Sequence, residues 1–199
     1  DGFIGYHLSQ TIKYKFEKLK IVPFERHFLK NSKLLNSFVS SCDVIVHLAG
    51  VNRANSSREV YNSNIQINVS LKEALIKTSF KGHLLFASSY QENSDSIYGK
   101  SKKESRILLE ETVIKQGGKF TGLIIPNVFG PFCKPNYNSF IATFSLNILN
   151  NQNTKIIEDS EVPLVYIGNL VKQIIKDIHS ENEVRHNLIP FDVKIKVSE

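Results

Sequence analysis

Apolar residues along this chain fall into two kinds of stretch, short β-branched runs and longer segments with helical spacing, and the two alternate. "FIGYHLSQTI" (3–12) carries helical spacing and opens straight out of a glycine turn. "KIVPF" (20–24) reads as a short strand and "LLNSFVSS" (34–41) as a short helix. "DVIVHLAG" (43–50) and "HLLFASS" (83–89) are apolar runs of the kind carried by strands buried on both faces. Residues 60–78 predict a helix with Ile65, Val69, Leu71, Leu75 and Ile76 as its apolar positions. Residues 97–116 predict another, with Ile107, Leu108 and Ile114 as the stripe. "FTGLIIP" (120–126) is a strand stopped by proline, and "SFIATFSLNILN" (139–150) is a helix. "TKIIE" (154–158) and "LVYIG" (164–168) read as short strands, and "NLVKQIIKDIH" (169–179) as a helix.

Strand and helix in alternation imply parallel strands with right-handed crossovers, hence an α/β fold with a Rossmann-type doubly wound sheet. Residues 1–125 are expected to form a dinucleotide-binding domain. Residues 126–199 are expected to form a small substrate-binding lobe interleaved with the last elements of the sheet. Its longest loop-like stretch is 126–138, and long loops often carry function. The chain opens at "DGFIG", inside a glycine motif and without a methionine. The expectation is therefore that the first strand lies upstream of residue 1.

Composition narrows this picture only slightly. At 41% hydrophobic and 22% charged, the chain is ordinary globular material. The net charge is +6, but basic residues are spread out and interleaved with acids. They read as solvated faces, which argues against a nucleic-acid partner and still suits an anionic, phosphate-bearing ligand. Cys42 and Cys133 have neither CxxC nor zinc spacing, which points to a reducing, cytoplasmic setting. The histidines form no HxxxH or HxH pair, so no metal site is expected. No apolar run reaches the roughly 18 residues of a membrane span, so no membrane insertion is expected.

The candidate chemistry lies at the carboxyl ends of the expected strands, where open α/β sheets bind ligands. Gly2 and Gly5, with Phe3 and Ile4 between them, would let backbone approach a pyrophosphate at a helix N-terminus. A residue that reads the adenosine ribose is expected about twenty positions further on, where Glu25 and Arg26 stand. An acid there favours NAD and an arginine favours NADP. With both present, Arg26 tips the expectation to NADP(H), with NAD as the alternative. Leu48, and the small Ala49 and Gly50, end the second apolar strand and allow close approach of a nucleotide. His47 by itself reads as a packed core histidine.

"IYGKSK" (97–102) begins a helix, and Tyr98 and Lys102 share a face at i and i+4. At about 4 Å and an effective dielectric of about 20, opposite charges attract by roughly 4 kcal/mol. On that ground the Tyr98 pKa is expected to fall. A phenol so tuned suits proton donation to a carbonyl oxygen beside a nicotinamide. Ser89, closing the strand after Ser88, would hydrogen-bond the same oxygen.

Taken together, these residues resemble the extended short-chain dehydrogenase/reductase family of nucleotide-sugar epimerases, dehydratases and reductases. The matching pieces, in family order, are GxxG at 2–5, "DVIVHLAG" at 43–50, Asn68, Ser88-Ser89, "YGKSK" at 98–102 and "PNVFGP" at 126–131. The resemblance implies catalysis by Ser89, Tyr98 and Lys102, with Tyr98 and Lys102 also facing the cofactor. It places Asn68 at the cofactor and Pro126 and Asn127 by the nicotinamide and the substrate. It also implies a homodimer formed through helices 60–78 and 97–116. "HLAGVNR" (47–53) and "KPNYNSFIATF" (134–144) are similar, more narrowly, to capsular-polysaccharide reductases of the CapF type. Those reduce C4 of a UDP-linked 4-keto-6-deoxy-N-acetylhexosamine with NADPH, giving UDP-2-acetamido-2,6-dideoxy-L-talose on the route to UDP-N-acetyl-L-fucosamine. Arg53, Lys134, Asn136, Tyr137 and Asn138 are then expected to meet the UDP-sugar. The type also carries a C-terminal cupin domain, which residues 1–199 do not include; a chain cut short and a single-domain protein account for this equally well.

Two positions depart from the family pattern. Ile124 stands where an arginine is common, and Gly168-Asn169 replace a usual Asp pair. Two other readings stay open. One is a UDP-sugar 4-epimerase or 4,6-dehydratase with bound NAD; the other is a dinucleotide-binding protein without catalysis.

Overall fold

Within strand His83–Ser89, Leu84 and Phe86 face one hydrophobic core and Leu85 and Ala87 the other, and that alternation organises the molecule. The computed structural model describes residues 2–137, 139–156, 158–182 and 184–198. In chain order its elements are α1 (Phe3–Lys15), α2 (Ser32–Ser40), β1 (Val44–His47), α3 (Ser57–Lys77), β2 (His83–Ser89) and α4 (Ile97–Lys115). There follow β3 (Lys119–Ile125), β4 (Asn127–Phe129), α5 (Phe140–Leu149), β5 (Glu161–Tyr166), α6 (Ile167–Ile178), β6 (Val184–Leu188) and β7 (Val193–Lys196). Short 3-10 turns lie at Arg26–Lys30 and Tyr90–Asn93.

The main sheet has the order β1-β2-β3-β6, all parallel. On one face, Leu84 and Phe86 of β2 and Phe120 of β3 pack with Leu35 and Val39 of α2, Leu71 and Leu75 of α3, and Leu109 and Val113 of α4. On the other, Leu85, Ala87, Leu123 and Ile125 pack with Leu8 of α1 and with Leu170, Val171 and Ile174 of α6. Helices therefore cover both faces, as in a Rossmann-type doubly wound sheet. A smaller sheet, β4-β5-β7, joins a parallel and an antiparallel pair. Residues beyond 125 serve both units: they supply β6 to the main sheet, α6 to its core, and the whole of the smaller sheet.

Several expectations need correction. Residues 20–24 form no strand; Pro23 lacks an amide, and Ile21 and Phe24 stay over a third exposed. Residues 154–156 and 158 are not strand either, and Ile157 lies outside the described residues. β4, β6 and β7 were not anticipated; β4 falls inside the expected loop 126–138. The expected stripes on α3 and α4 are partly turned outward: Ile76 is 51% exposed and Ile107 42%. The inward faces of these helices carry Asn64, Asn68, Ser101, Lys102, Ser105 and Arg106, all buried.

Candidate active site

Hydroxyl side chains cap the N-termini of α3, α4 and α5: Ser56, Ser96 and Ser139 each accept from the backbone N–H three residues on. α1 differs. It starts at Gly2 in extended conformation with no side-chain cap, and its first turn holds no acid. Its first backbone amides and its positive dipole end thus remain available to an anion. A Cβ built on Gly5 would lie 3.8 Å from Leu48 Cδ1, which puts this turn beside the end of β1. A Cβ on Gly50 would lie 3.5 Å from both Asn64 Oδ1 and Lys102 Nζ. Gly2, Phe3, Ile4, Gly5, Leu48, Ala49, Gly50 and Lys102 are thereby brought into one region, an uncapped helix end beside a bare strand terminus and an ammonium. That donor set fits a dinucleotide pyrophosphate and ribose. Arg26 stands in the exposed 3-10 turn; Glu25 pairs instead with His27 at 3.3 Å, and among the described residues Arg26 takes no ion-pair partner.

Ser89 ends β2 and begins the Tyr90–Asn93 turn, its Oγ accepting from Gln91 N at 3.2 Å. That turn lies hard against the first turn of α4. A Cβ on Gly99 would sit 1.8 Å from Gln91 O, so a glycine after Tyr98 is what permits the approach. Tyr98 and Lys102 occupy one face of α4, half-buried and buried respectively. Lys102 Nζ lies 4.7 Å from the centre of the Phe86 ring, a cation–π contact over β2. Burial lowers its pKa to about 8, against an upward pull from the Glu92 carboxylate. The expected fall of the Tyr98 pKa is not found: burial pushes the phenol up. The ammonium is engaged over Phe86 and toward Gly50, and desolvation dominates at the phenol.

Beneath these residues lies a buried polar lattice that the apolar pattern did not reveal. Asn64 Oδ1 accepts from Val51 N at 2.8 Å, while its Nδ2 donates to Val51 O and Ser101 Oγ. Asn68 Nδ2 donates to Asn64 O and Ser105 Oγ, and its Oδ1 lies 2.9 Å from His47 Nε2. Asn68 is thus occupied by protein partners, locking α3 to α4 and to β1. His47 is a core histidine, as its setting in an apolar strand suggested. Burial, then the Lys102 charge, lowers its pKa to about 4, against the Asn68 hydrogen bond, so it stays neutral. One signal could have exposed the lattice: asparagines at 64 and 68 and serines at 101 and 105 repeat at i, i+4 on facing helices.

The remaining candidates lie on the other side of the site. Pro126 is buried between β3 and β4, and Asn127, exposed, opens β4 opposite Leu164. Arg53 Nη1 donates to Asn136 O at 3.3 Å, joining the "HLAGVNR" and "KPNYNS" segments. Asn136 adopts φ +55°, and its N–H donates to Thr143 Oγ1 on α5. Lys134 Nζ lies 5.9 Å from the Tyr137 ring centre. Asn138 is outside the described residues. No group of three or more His, Cys, Asp or Glu suited to a metal occurs among the described residues, and none of their helices is long and apolar enough to cross a membrane.

Comparison with known proteins bears on family and fold. Residues 1–188 match the NAD dependent epimerase/dehydratase family. A UDP-2-acetamido-2,6-beta-L-arabino-hexul-4-ose reductase from Pseudomonas aeruginosa is 34% identical over 177 residues, 88% of this chain and 47% of that protein. The chain thus spans about half the length of this curated relative. The structure of the capsular polysaccharide assembling protein CapF from Staphylococcus aureus matches 98% of this chain and 52% of its own, at 30% identity and a TM-score of 0.74. A UDP-glucose 4-epimerase from Thermotoga maritima, at 20% identity, shares the fold with a TM-score of 0.82 over 99% of this chain and 76% of that one. With a doubly wound sheet, an uncapped first helix and a family match over nearly its whole length, the chain belongs to the NAD dependent epimerase/dehydratase family, the extended short-chain dehydrogenases/reductases.

Proposed function

We propose that this chain carries the NADPH-dependent C4 reduction of a UDP-linked 4-keto-6-deoxy-N-acetylhexosamine, giving UDP-2-acetamido-2,6-dideoxy-L-talose for a surface polysaccharide. The observation that carries the reading is a half-buried Tyr98 and a buried Lys102 on one face of α4, next to the turn begun by Ser89. A pure binder has no need of that group. The similarity to a hexulose reductase supports reduction over the other reactions of the family.

The reduced nicotinamide supplies the hydride when bound. Gly2 to Gly5 would hold its pyrophosphate on the amides of α1, and Leu48 to Gly50 would flank it. Lys102 would hold the nicotinamide ribose, with Asn68 setting the helix face that carries it. Arg26, without an ion-pair partner among the described residues, is free to meet a 2′-phosphate. Ser89 orients the C4 oxygen, and Tyr98 delivers its proton to the forming alkoxide. A phenol kept protonated by burial suits that task. Arg53, Asn127, Lys134, Asn136 and Tyr137 would receive the nucleotide sugar, with Pro126 walling the nicotinamide. Apolar side chains exposed on α3 and α4, among them Ile76, Ile97 and Ile107, support a homodimer through these helices.

The test follows NADPH absorbance on adding the UDP-4-keto-6-deoxy sugar, with the dinucleotide content of the purified protein measured beside it. Oxidation of NADPH with little retained cofactor is the expected result. Tightly retained NAD without NADPH oxidation would instead support a UDP-sugar 4-epimerase.

A further inference from the structure

A buried charge cluster joins Ser89's turn to the Tyr98–Lys102 helix. Glu92 is 6% exposed and Arg106 8%. Arg106 Nε and Nη2 donate to Glu92 Oε2 and Oε1, both at 3.1 Å, a fork-to-fork pair. Glu92 Oε2 also accepts from Ser88 Oγ, the hydroxyl next to Ser89. Arg106 stands four residues after Lys102 and eight after Tyr98, so all three share one helical face. β3 makes room for the arginine stem: a Cβ on Gly122 would lie 2.7 Å from Arg106 Cδ. The outer end of the guanidinium donates to Glu110 at 3.3 Å, and Glu110 meets His186 of β6 at 2.8 Å.

We infer that Glu92 and Arg106 are positioning residues: their buried pair clamps the Ser89-bearing turn to α4 and so fixes Ser89 against Tyr98. Neither belongs to the catalytic group itself, and the inference rests on the redox role proposed above for Ser89, Tyr98 and Lys102. Two devices hold the same turn. Gly99 permits backbone contact, and the ion pair determines where along α4 the turn settles. A paired buried charge tolerates loss of its partner poorly, which gives the clamp a single low-energy geometry. Glu92 also supplies the nearby negative charge that supports the Lys102 ammonium.

Hydrogen exchange by mass spectrometry and steady-state kinetics on Glu92→Gln, on the milder Arg106→Lys and on their combination test this. Exchange should accelerate about tenfold or more across residues 88–96 while α6 is unchanged. Turnover should fall by about 10- to 100-fold, with KM for the dinucleotide within about twofold of wild type. The double variant should lose little more than the worse single one, because both break one unit. Unaltered exchange at 88–96, acceleration that extends to α6, or full turnover despite local acceleration would each overturn the clamp. A wild type without turnover would refute the redox reading instead, and the exchange pattern would then decide the clamp alone.

Discussion

The two walls of the site are built on opposite plans. On the α3/α4 wall, polar side chains are buried and paired: His47 with Asn68, Asn64 with Ser101, Asn68 with Ser105, Glu92 with Arg106. On the wall formed by residues 131–137 and 139–149, α5 buries none of its residues, and Phe132 and Asn136 hold left-handed backbone. The first wall carries Tyr98 and Lys102; the second carries Lys134, Asn136 and Tyr137. Buried, fully paired polar networks hold one geometry because any alternative strands a desolvated group. Exposed loops fixed by a few backbone bonds admit substitution. The α3/α4 wall is thus held in one geometry and the other wall is adaptable; under the proposed function these are the redox side and the sugar-binding side.

Changes in the first wall should therefore cost stability, and changes in the second should cost only sugar affinity. The largest effect comes from acid. His47 has its pKa lowered to about 4, so the unfolded chain takes up a proton below about pH 6.5 that the folded chain refuses. Its contribution is complete above pH 6.5 and is lost as pH falls toward 4, roughly 3 kcal/mol in all. The stability advantage of wild type over His47→Gln, read from denaturant midpoints, should shrink across that window; a constant difference would contradict it.

Next comes Gly99→Ala. Alanine gains about 1 kcal/mol of helix propensity, but its Cβ would meet Gln91 backbone at 1.8 Å. Overpacking against backbone costs about 1–3 kcal/mol or more, so the sum is destabilising. Thermal melting should fall, and a rise would show that the turn can move away. The smallest effect is Tyr137→Ala, whose side chain is 49% exposed. Its stability should change by less than about 0.5 kcal/mol while KM for the UDP-sugar rises several-fold. A melting shift as large as that of Gly99→Ala would erase the difference between the walls.

How much of this was legible in the sequence follows the same division. β2 runs from His83 to Ser89 as its apolar run implies, because a strand buried on both faces leaves an unbroken hydrophobic signature. The outward turn of Ile76 and Ile107 was hidden for the opposite reason. Two helices that face each other through asparagines and serines, with Lys102 and Arg106 buried toward the sheet, carry their inward signal in polar residues, which hydrophobic periodicity cannot register. "KIVPF" has strand composition, yet a ladder needs a partner and a full set of amides, and Pro23 removes one. The motif reading locates Ser89 at the end of β2 and Tyr98 and Lys102 on α4, elements that the structure sets side by side through Gln91 and Gly99. It misjudged the direction of the Tyr98 shift, because spacing along a helix fixes which side chains share a face but not where an ammonium on a long flexible stem settles.

The most direct test of the rigid redox wall is Tyr98→Phe beside wild type, with turnover on the UDP-4-keto sugar and dinucleotide affinity measured on the same preparations. Turnover should fall by about 100-fold or more, the scale of a lost general acid, while dinucleotide affinity stays within about twofold. Unchanged turnover would contradict it and leave "IYGKSK" as the first turn of a helix.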